Sequence, residues 1–519
     1  MTREMAERLF RSTAIVSCMT FLSRILGFLR DIVIARMFGA GMGADVFFVA
    51  FKIPNFLRRL FAEGAFSQAF VPVLAEYRQR GERDLRELIH HTSGTLFTIL
   101  FVITLIGVLA SPLLIMLFAP GFISEPEKLD LASQMLAITF PYLLFISLTA
   151  LSGSILNAFG KFAVPAFTPV FLNISLIAAA IWLAPILDEP VKALAWGVFI
   201  GGIVQLLFQL PFLLKIHIRP KPRWGWRHEG VQKILRLMLP GMFGVSVAQI
   251  NLLLDTILAS FLVTGSISWL YYSDRLVEFP LGVFGIALAT VILPSLSRQH
   301  ASDSVQSFSD TIDWALRWVL LIGVPAAIGL ILLAEPLLVT LFQYGEFTRY
   351  DAHQSSLSLM AYGLGLLPFI LIKVLAPGFF ARQDTKTPVK IGIIAMAVNM
   401  VLNIILMIYL AHVGLALATA LSAMLNAGLL YIGLRKRNVY QPAAGWLKFT
   451  AKLVLATTGM IAVLIWLTPQ IGDWHEWSGR LRFQVLMGLI AASAISYFVL
   501  LHLLGIRVKS LIRPRQRDF

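Results

Sequence analysis

Some of the charged residues lie inside stretches that are otherwise apolar. Eight are basic: Arg24, Arg30, Arg36, Lys52, Arg58, Arg59, Arg275 and Lys373. Six are acidic: Asp31, Asp45, Glu63, Asp255, Asp274 and Glu278. An arginine at the centre of a membrane span costs roughly 2.5–3.5 kcal/mol on insertion scales. Several facing lipid would be prohibitive, so these side chains must line water or one another. Their spacing favours shared faces. Arg24 and Asp31 are two helical turns apart, as are Asp45 and Lys52, and Asp274 and Glu278 flank Arg275 at i, i+4. Arginine outnumbers its partners in the strongest set. Guanidinium forks match phosphate and carboxylate geometry, so the chemistry expected is anion binding in a hydrated cavity. The alternative is a set of ion pairs that only lock helices together. Arg36 and Arg59 can snorkel from span ends, and Glu63, in AEGAF, can pair with a neighbour. Gly27 and Pro54 offer places where helices bend. Catalytic signals are poor: there is no P-loop, no HExxH and no paired His/Cys metal spacing.

The elements that hold these charges follow from composition. The chain has 519 residues, 58% hydrophobic and 14% charged, with mean hydropathy +0.80. A soluble domain carries about 25% charged residues, so an all-α polytopic membrane protein is expected. Cys18 is the one cysteine, which excludes an internal disulfide. The basic start MTREMAERLFR reads as leading into an uncleaved first span. A span needs about 20 apolar residues. That ruler gives fourteen: 13–38, 43–71, 88–118, 129–157, 164–184, 192–215, 232–262, 268–296, 311–333, 352–380, 388–410, 414–434, 447–468 and 482–504. With this set, 30 of the 43 Lys and Arg fall at the N-terminus, in loops after even spans or at the adjoining span ends, and five fall on the other side. The positive-inside rule then places both termini in the cytoplasm. The net charge of +15 is thereby a topology signal, and no nucleic-acid partner is expected.

Landmarks recur at one offset. Asp31 and Asp255 are 224 residues apart, Pro72 and Pro294 222, Phe118 and Phe342 224, Pro165 and Pro388 223. This predicts two six-helix lobes of equal orientation, related by a pseudo-two-fold axis along the membrane normal. The lobes would be 1–225 and 226–437. Two extra helices and a basic cytoplasmic tail would occupy 438–519.

Four stretches, SRILGFLRD, FGAGMGADVFFVAFKIPNFLRRLFAEGAFSQAFVPVLAEY, SWLYYSDRLVEFPLGVFGIALATVILPSLS and LAPGFFARQDTKTPVKI, resemble the MurJ (MviN) family. The resemblance covers essentially the whole chain. It implies a flippase that moves lipid II, the undecaprenyl-diphosphate-linked disaccharide-pentapeptide precursor of peptidoglycan, across the bacterial cytoplasmic membrane. It also implies membership of the superfamily that contains the MATE exporters, and a groove for the lipid tail at helices 13–14. Family positions map onto Arg24, Arg30, Asp45, Arg58 and Arg275, flanked by Asp274 and Glu278. Lys52 and Asp31 join them from the spacing argument. The resemblance further implies a sodium site in some members, which maps to Asp255, Asn399, Asn403, Thr419 and the carbonyl of Leu415. No organic cofactor is expected. Coupling would come from a monovalent cation or the membrane potential. Partners expected are lipid II, membrane lipids and the cell-wall synthesis machinery.

Three other functions compete. A multidrug or cation exporter on the same fold would have an acidic, aromatic cavity. A flippase for another polyprenyl-diphosphate-linked oligosaccharide would share the arginines. A polyprenyl-linked glycosyltransferase would carry a large extracytoplasmic loop with carboxylates, and the longest such loops here, near 119–128, 334–351 and 469–481, are short.

Overall fold

The computed structural model describes residues 3–60, 66–301 and 305–506. Glu63 and the tail from residue 507 lie outside the described residues. Helices account for nearly all regular structure, and no strand occurs among the described residues. In the first part of the chain these are α1 (Arg3–Phe38), α2 (Met42–Arg58), α3 (Ser67–Arg80), α4 (Glu82–Leu109), α5 (Ser111–Phe118), α6 (Pro126–Thr139), α7 (Tyr142–Ala158), α8 (Ala163–Phe167), α9 (Pro169–Ala178), α10 (Lys192–Lys215) and α11 (Glu229–Ala259). The remainder are α12 (Ser266–Pro280), α13 (Ile286–Ala301), α14 (Val305–Leu332), α15 (Ala334–Leu341), α16 (Arg349–Phe380), α17 (Lys386–Lys436), α18 (Trp446–Leu467), α19 (Ile471–Glu476) and α20 (Gly479–Leu503).

Nine helical segments among the described residues are long and apolar enough to cross a membrane. The first two charged helices, α1 and α2, and the charged α12 are not among them. At 17 and 15 residues α2 and α12 are too short as single helices to count, and all three helices carry the intramembrane charges that make them candidates for function. One of the nine, α17, has 51 residues. At 1.5 Å per residue it would be about 75 Å long, far beyond the ~30 Å hydrocarbon core. It breaks at Ala411, whose φ of 49° and ψ of −130° are non-helical. The following Gly414 packs so closely on the Leu406 carbonyl that a Cβ would sit 2.3 Å from that oxygen. The element therefore holds two of the expected spans, 388–410 and 414–434. Large apolar side chains are exposed along many helices, including Leu109, Ile186, Ile408, Leu447 and Trp466. Apolar surface on that scale belongs against lipid rather than water.

The chain divides into two compact units, Met1–Ser268 and Trp269–Phe519. The division falls later than the boundary expected at 225/226, and α11 packs against α3, α4 and α5 of the first unit. In the first unit, Phe70, Leu74 and Tyr77 of α3 meet Leu88 and Ile89 of α4 and Leu151 and Ile155 of α7. Helices α9 and α10 approach closely through Gly197 and Gly201, one turn apart. A Cβ at either would lie 2.9 Å from a side-chain carbon of Ala179 or Leu172. Without a hydrophobic drive between helices in lipid, small residues of this kind maximise van der Waals contact. In the second unit, α18 and α20 pack together around Phe449, Leu453, Met460, Tyr497 and Leu501, and the Tyr497 hydroxyl donates to the Leu321 carbonyl at 2.7 Å. Buried Arg482 ties α20 to α15. It donates to the carbonyls of Val339 and Gln343 at 3.2 Å and of His475 at 2.8 Å.

Candidate functional site

In the first unit the charges are built on α1 and α2. Arg30 is largely buried and Asp31 almost fully so. The Arg30 Nη2 and Nε both donate to Asp31 Oδ1, at 2.7 and 3.0 Å. Its Nη1 donates to Asn173 Oδ1 of α9 at 3.0 Å. Asn173 then donates from Nδ2 to the Ser23 carbonyl at 3.1 Å, returning to α1. Gly27 lies over this amide, with room for an ordinary contact at 3.7 Å. The network therefore fixes one guanidinium plane inside the unit and neutralises part of its charge. Arg24, nearly two turns earlier on α1, is exposed. Arg36 is also exposed, near the end of α1.

Asp45 sits in the first turn of α2 and is 1% exposed. Its Oδ2 accepts from the Gly265 amide at 2.7 Å. Its Oδ1 accepts from the Ser268 amide at 2.9 Å and the Ser268 hydroxyl at 2.6 Å. The carboxylate thus caps the start of α12, where unpaired amides and the helix dipole favour a negative charge. Both oxygens are engaged by protein donors. Nearby, buried Lys128 donates to Thr264 at 3.1 Å and lies over the Phe122 ring. The loops FGAGMGAD and VTGSIS are joined by this carboxylate. Lys52 and Arg59 are half-buried and engaged with partners. Arg58, also half-buried, donates from Nε to Asn55 Oδ1 at 2.9 Å.

In the second unit Arg275 stands on one face of α12 with Tyr271 and Glu278. It donates to Glu278 Oε2 at 2.6 Å and to the Tyr271 hydroxyl at 3.2 Å, and its guanidinium lies 4.8 Å from the centre of that ring. The Arg275–Glu278 pair is one-third to half exposed, so it is worth little as a structural tie. Asp274 points to the exposed side of the helix. Lys373, on α16, is exposed too, with its stem beside Gly285.

The residues expected to hold a cation lie in both units. Asp255, on α11 of the first, is half-buried and engaged with a partner. In the second, Asn399 and Asn403 are fully buried one turn apart, and the Asn403 amide donates to Asn399 Oδ1 at 3.0 Å. Beyond the Ala411 break, Thr419 donates to the Leu415 carbonyl at 3.0 Å. The Asn399 amide nitrogen has no hydrogen-bond partner among the described residues. Buried amide and carbonyl oxygens are the donor set that a hard monovalent cation takes. Asn399, Asn403 and Leu415 carry such oxygens, those of Asn399 and Leu415 already accepting from Asn403 and Thr419. No cluster of three or more His, Cys, Asp or Glu suited to a metal occurs among the described residues.

Asn173 is not among the site residues expected from the sequence. A lone asparagine in the apolar run VFLNISL was the available signal, since a polar side chain inside a span marks a function or a partner. Nor is Lys128 among them, whose place in a loop gave no sign of burial.

The family model described as "Lipid II flippase MurJ" matches residues 34–480. A "Probable lipid II flippase MurJ" of Vibrio cholerae serotype O1 is 54% identical over 514 residues, covering 98% of both chains. A "Lipid II flippase MurJ" of Burkholderia cenocepacia is 44% identical over 506 residues, covering 96% of this chain and 98% of its own. Among solved structures, "Lipid II flippase MurJ, inward closed conformation" matches with a TM-score of 0.81 at 28% identity, over 96% of this chain and all of that one. An inward-facing MATE family multidrug transporter matches with a TM-score of 0.66 at 14% identity, over 82% of this chain and 98% of that one, a likeness of fold alone.

Proposed function

The chain belongs to the lipid II flippase MurJ family, and from that premise we propose that it flips lipid II between the leaflets of the bacterial cytoplasmic membrane. It is a transporter and not an enzyme. The observation that carries this reading is the 54% identity over 98% of both chains with the Vibrio cholerae relative, a match that takes in almost the whole chain. The physics agrees with it. A diphosphate-sugar headgroup cannot cross about 30 Å of hydrocarbon unaided, because burying unpaired charge is prohibitive. Arg24 and Arg30 on α1, with Arg58 on α2 and Arg275 on α12, supply the counter-charges. Arg30, held in one plane by Asp31 and Asn173, is preorganised for a fork-like contact with phosphate. Asp31 and Glu278 orient Arg30 and Arg275, Lys52 adds a further positive charge, and Asp45 and Asp274 complete the polar set on α2 and α12.

The finer reading is fourteen spans in two six-helix lobes with two further helices, both termini cytoplasmic, and transport by alternating access through an arginine-rich cavity. It is supported by the charge asymmetry of the loops and by the 222–224-residue repeat. Asp255, Asn399, Asn403, Leu415 and Thr419 would hold a sodium ion that biases one conformation over the other.

The test is translocation of labelled lipid II in vesicles reconstituted with the purified protein. Time-dependent exposure of lipid II on the far leaflet, lost in Arg24→Ala, is expected. Protein-dependent movement of a different polyprenyl-diphosphate glycan, with lipid II left in place, would replace this reading.

A further inference from the structure

The first unit carries a cavity of about 360 Å³ that none of the transport charges reaches. It is lined by Lys161 and Lys215, with Ile15, Phe162, Val164 and Phe212 among its apolar walls. Three separate elements build it. Ile15 comes from α1, Lys215 from the last turn of α10, and Lys161 and Phe162 from the turn that follows α7. The turn is set by Gly160 at φ 75°, a left-handed conformation that glycine adopts without strain, and by the Lys161 amide donating to the Leu156 carbonyl at 2.8 Å. The Lys215 ammonium is 5.4 Å from the centre of the Phe212 ring, which places the charge over an apolar wall. Both lysines and Phe162 are exposed. No carboxylate lines the cavity among the described residues.

We propose that this cavity is a binding site for the phosphate headgroup of an anionic phospholipid of the bilayer, separate from the path of the flipped substrate. Two ammonium groups at one rim supply point charges for a single phosphate, and the volume falls within the range of small-ligand pockets. The apolar walls accept the glycerol end of the acyl chains. Lys161 and Lys215 lie on the lysine- and arginine-rich side of the chain, and the positive-inside rule puts that side where anionic lipid is concentrated. Basic pockets between membrane helices on that side attract acidic headgroups. The leaflet assignment rests on the orientation proposed above; the binding itself does not.

The experiment is native mass spectrometry of the full-length protein in non-ionic detergent, titrated with phosphatidylglycerol or phosphatidylcholine. Retained phosphatidylglycerol adducts are expected, with phosphatidylcholine adducts stripped at the same collision energy. Lys161→Gln with Lys215→Gln should weaken phosphatidylglycerol binding roughly 30-fold, about fivefold for each lysine charge removed. Lys161→Arg with Lys215→Arg should retain it, which separates charge loss from misfolding. Arg24→Ala should retain it as well, even where lipid II translocation is lost, so the site and the transport reading fail or stand separately. Equal retention of the two phospholipids, or a double glutamine variant that binds like wild type, would overturn the proposal. So would displacement of phosphatidylglycerol by millimolar inorganic phosphate alone, which would mark a free-anion site. Displacement by an equimolar short polyprenyl diphosphate would mark the cavity as a staging point for the transport substrate instead.

Discussion

Asp45 joins the loop before α2 to the start of α12, and replacing it with asparagine tests whether this contact is a latch. Its carboxylate accepts three hydrogen bonds, at 2.6, 2.7 and 2.9 Å, and is 1% exposed. An asparagine there keeps one acceptor oxygen. Its amide nitrogen must face either the Gly265 amide or the Ser268 donors, so at least one bond is lost and two donors oppose each other. Hydrogen bonds to charged groups contribute about 1.5–3 kcal/mol each, and a buried unsatisfied donor costs about 1–3 kcal/mol. Loss of the carboxylate charge at the helix start adds about 0.3–1 kcal/mol. The joined state should therefore lose about 3 kcal/mol or more, which shifts its equilibrium with a separated state by about 100-fold. The assay is disulfide formation between cysteines at Gly41 and Ser266, with Cys18 first replaced. Gly41 has open space at its Cβ, whereas a Cβ at Gly43 would press on Val191 at 3.2 Å and Gly265 stands at φ 100°, so the outer pair is the better choice. In the wild-type background the pair should crosslink readily and stop transport, with reduction restoring it. Asp45→Asn should slow crosslinking by at least tenfold. Equal crosslinking rates in the two backgrounds, at equal folding, would refute the latch. Crosslinked protein that still transports would show that this contact need not open during transport.

The other predictions concern the arginines, the cation and a clamp in the loop between α16 and α17. Arg24→Ala, Arg30→Ala and Arg275→Ala should each abolish transport at normal expression, and lysine should restore it only in part because it lacks the bidentate fork; complementation of a flippase-depleted strain by all three alanine variants would contradict this. Asn173→Leu should impair transport as Arg30→Ala does while leaving Arg24 untouched, since it frees the Arg30 guanidinium from its fixed plane; unchanged transport rates in vesicles would count against preorganisation. Lipid II translocation should rise with sodium at constant ionic strength, and Asp255→Ala and Asn399→Leu should remove that response; a sodium-independent wild type would remove the cation site. Asp384, between α16 and α17, accepts from Thr387 and pairs with Arg437, and these contacts, Thr387 first, lower its carboxyl to about 2. A depressed value means the clamp stabilises the fold above the ordinary carboxylate range and is lost as pH falls towards 2, so Asp384→Asn should lower the unfolding temperature at pH 7 and the difference should shrink as the pH falls from 4 towards 2; a difference independent of pH would show that the charge is not what matters.

Much of this protein is legible in one dimension because lipid solvation acts residue by residue. A run of about 20 apolar side chains must be helical and must span, since no unpaired backbone group survives in hydrocarbon. The same rule makes Arg24, Arg30, Asp31 and Arg275 conspicuous wherever they fold, because charge there is too costly to be incidental. Even the turn inside α17 follows, as no single span can be 51 residues long. What only the tertiary structure decided is who meets whom. Arg30 finds Asn173, 143 residues away, and Asp45 finds Gly265 and Ser268, 220 and 223 residues away. Periodicity and hydropathy are properties of single helices and carry no address for a partner on another. Lys128 reads as a loop cation and is buried, because Thr264, 136 residues away, meets part of its cost along with nearby Glu125 and the Phe122 ring, and nothing in the sequence points to Thr264. Pairing of that kind depends on how helices cross, and crossing is set by the fit of whole faces, such as Gly197 and Gly201 against Ala179 and Leu172, rather than by the residues that it brings together.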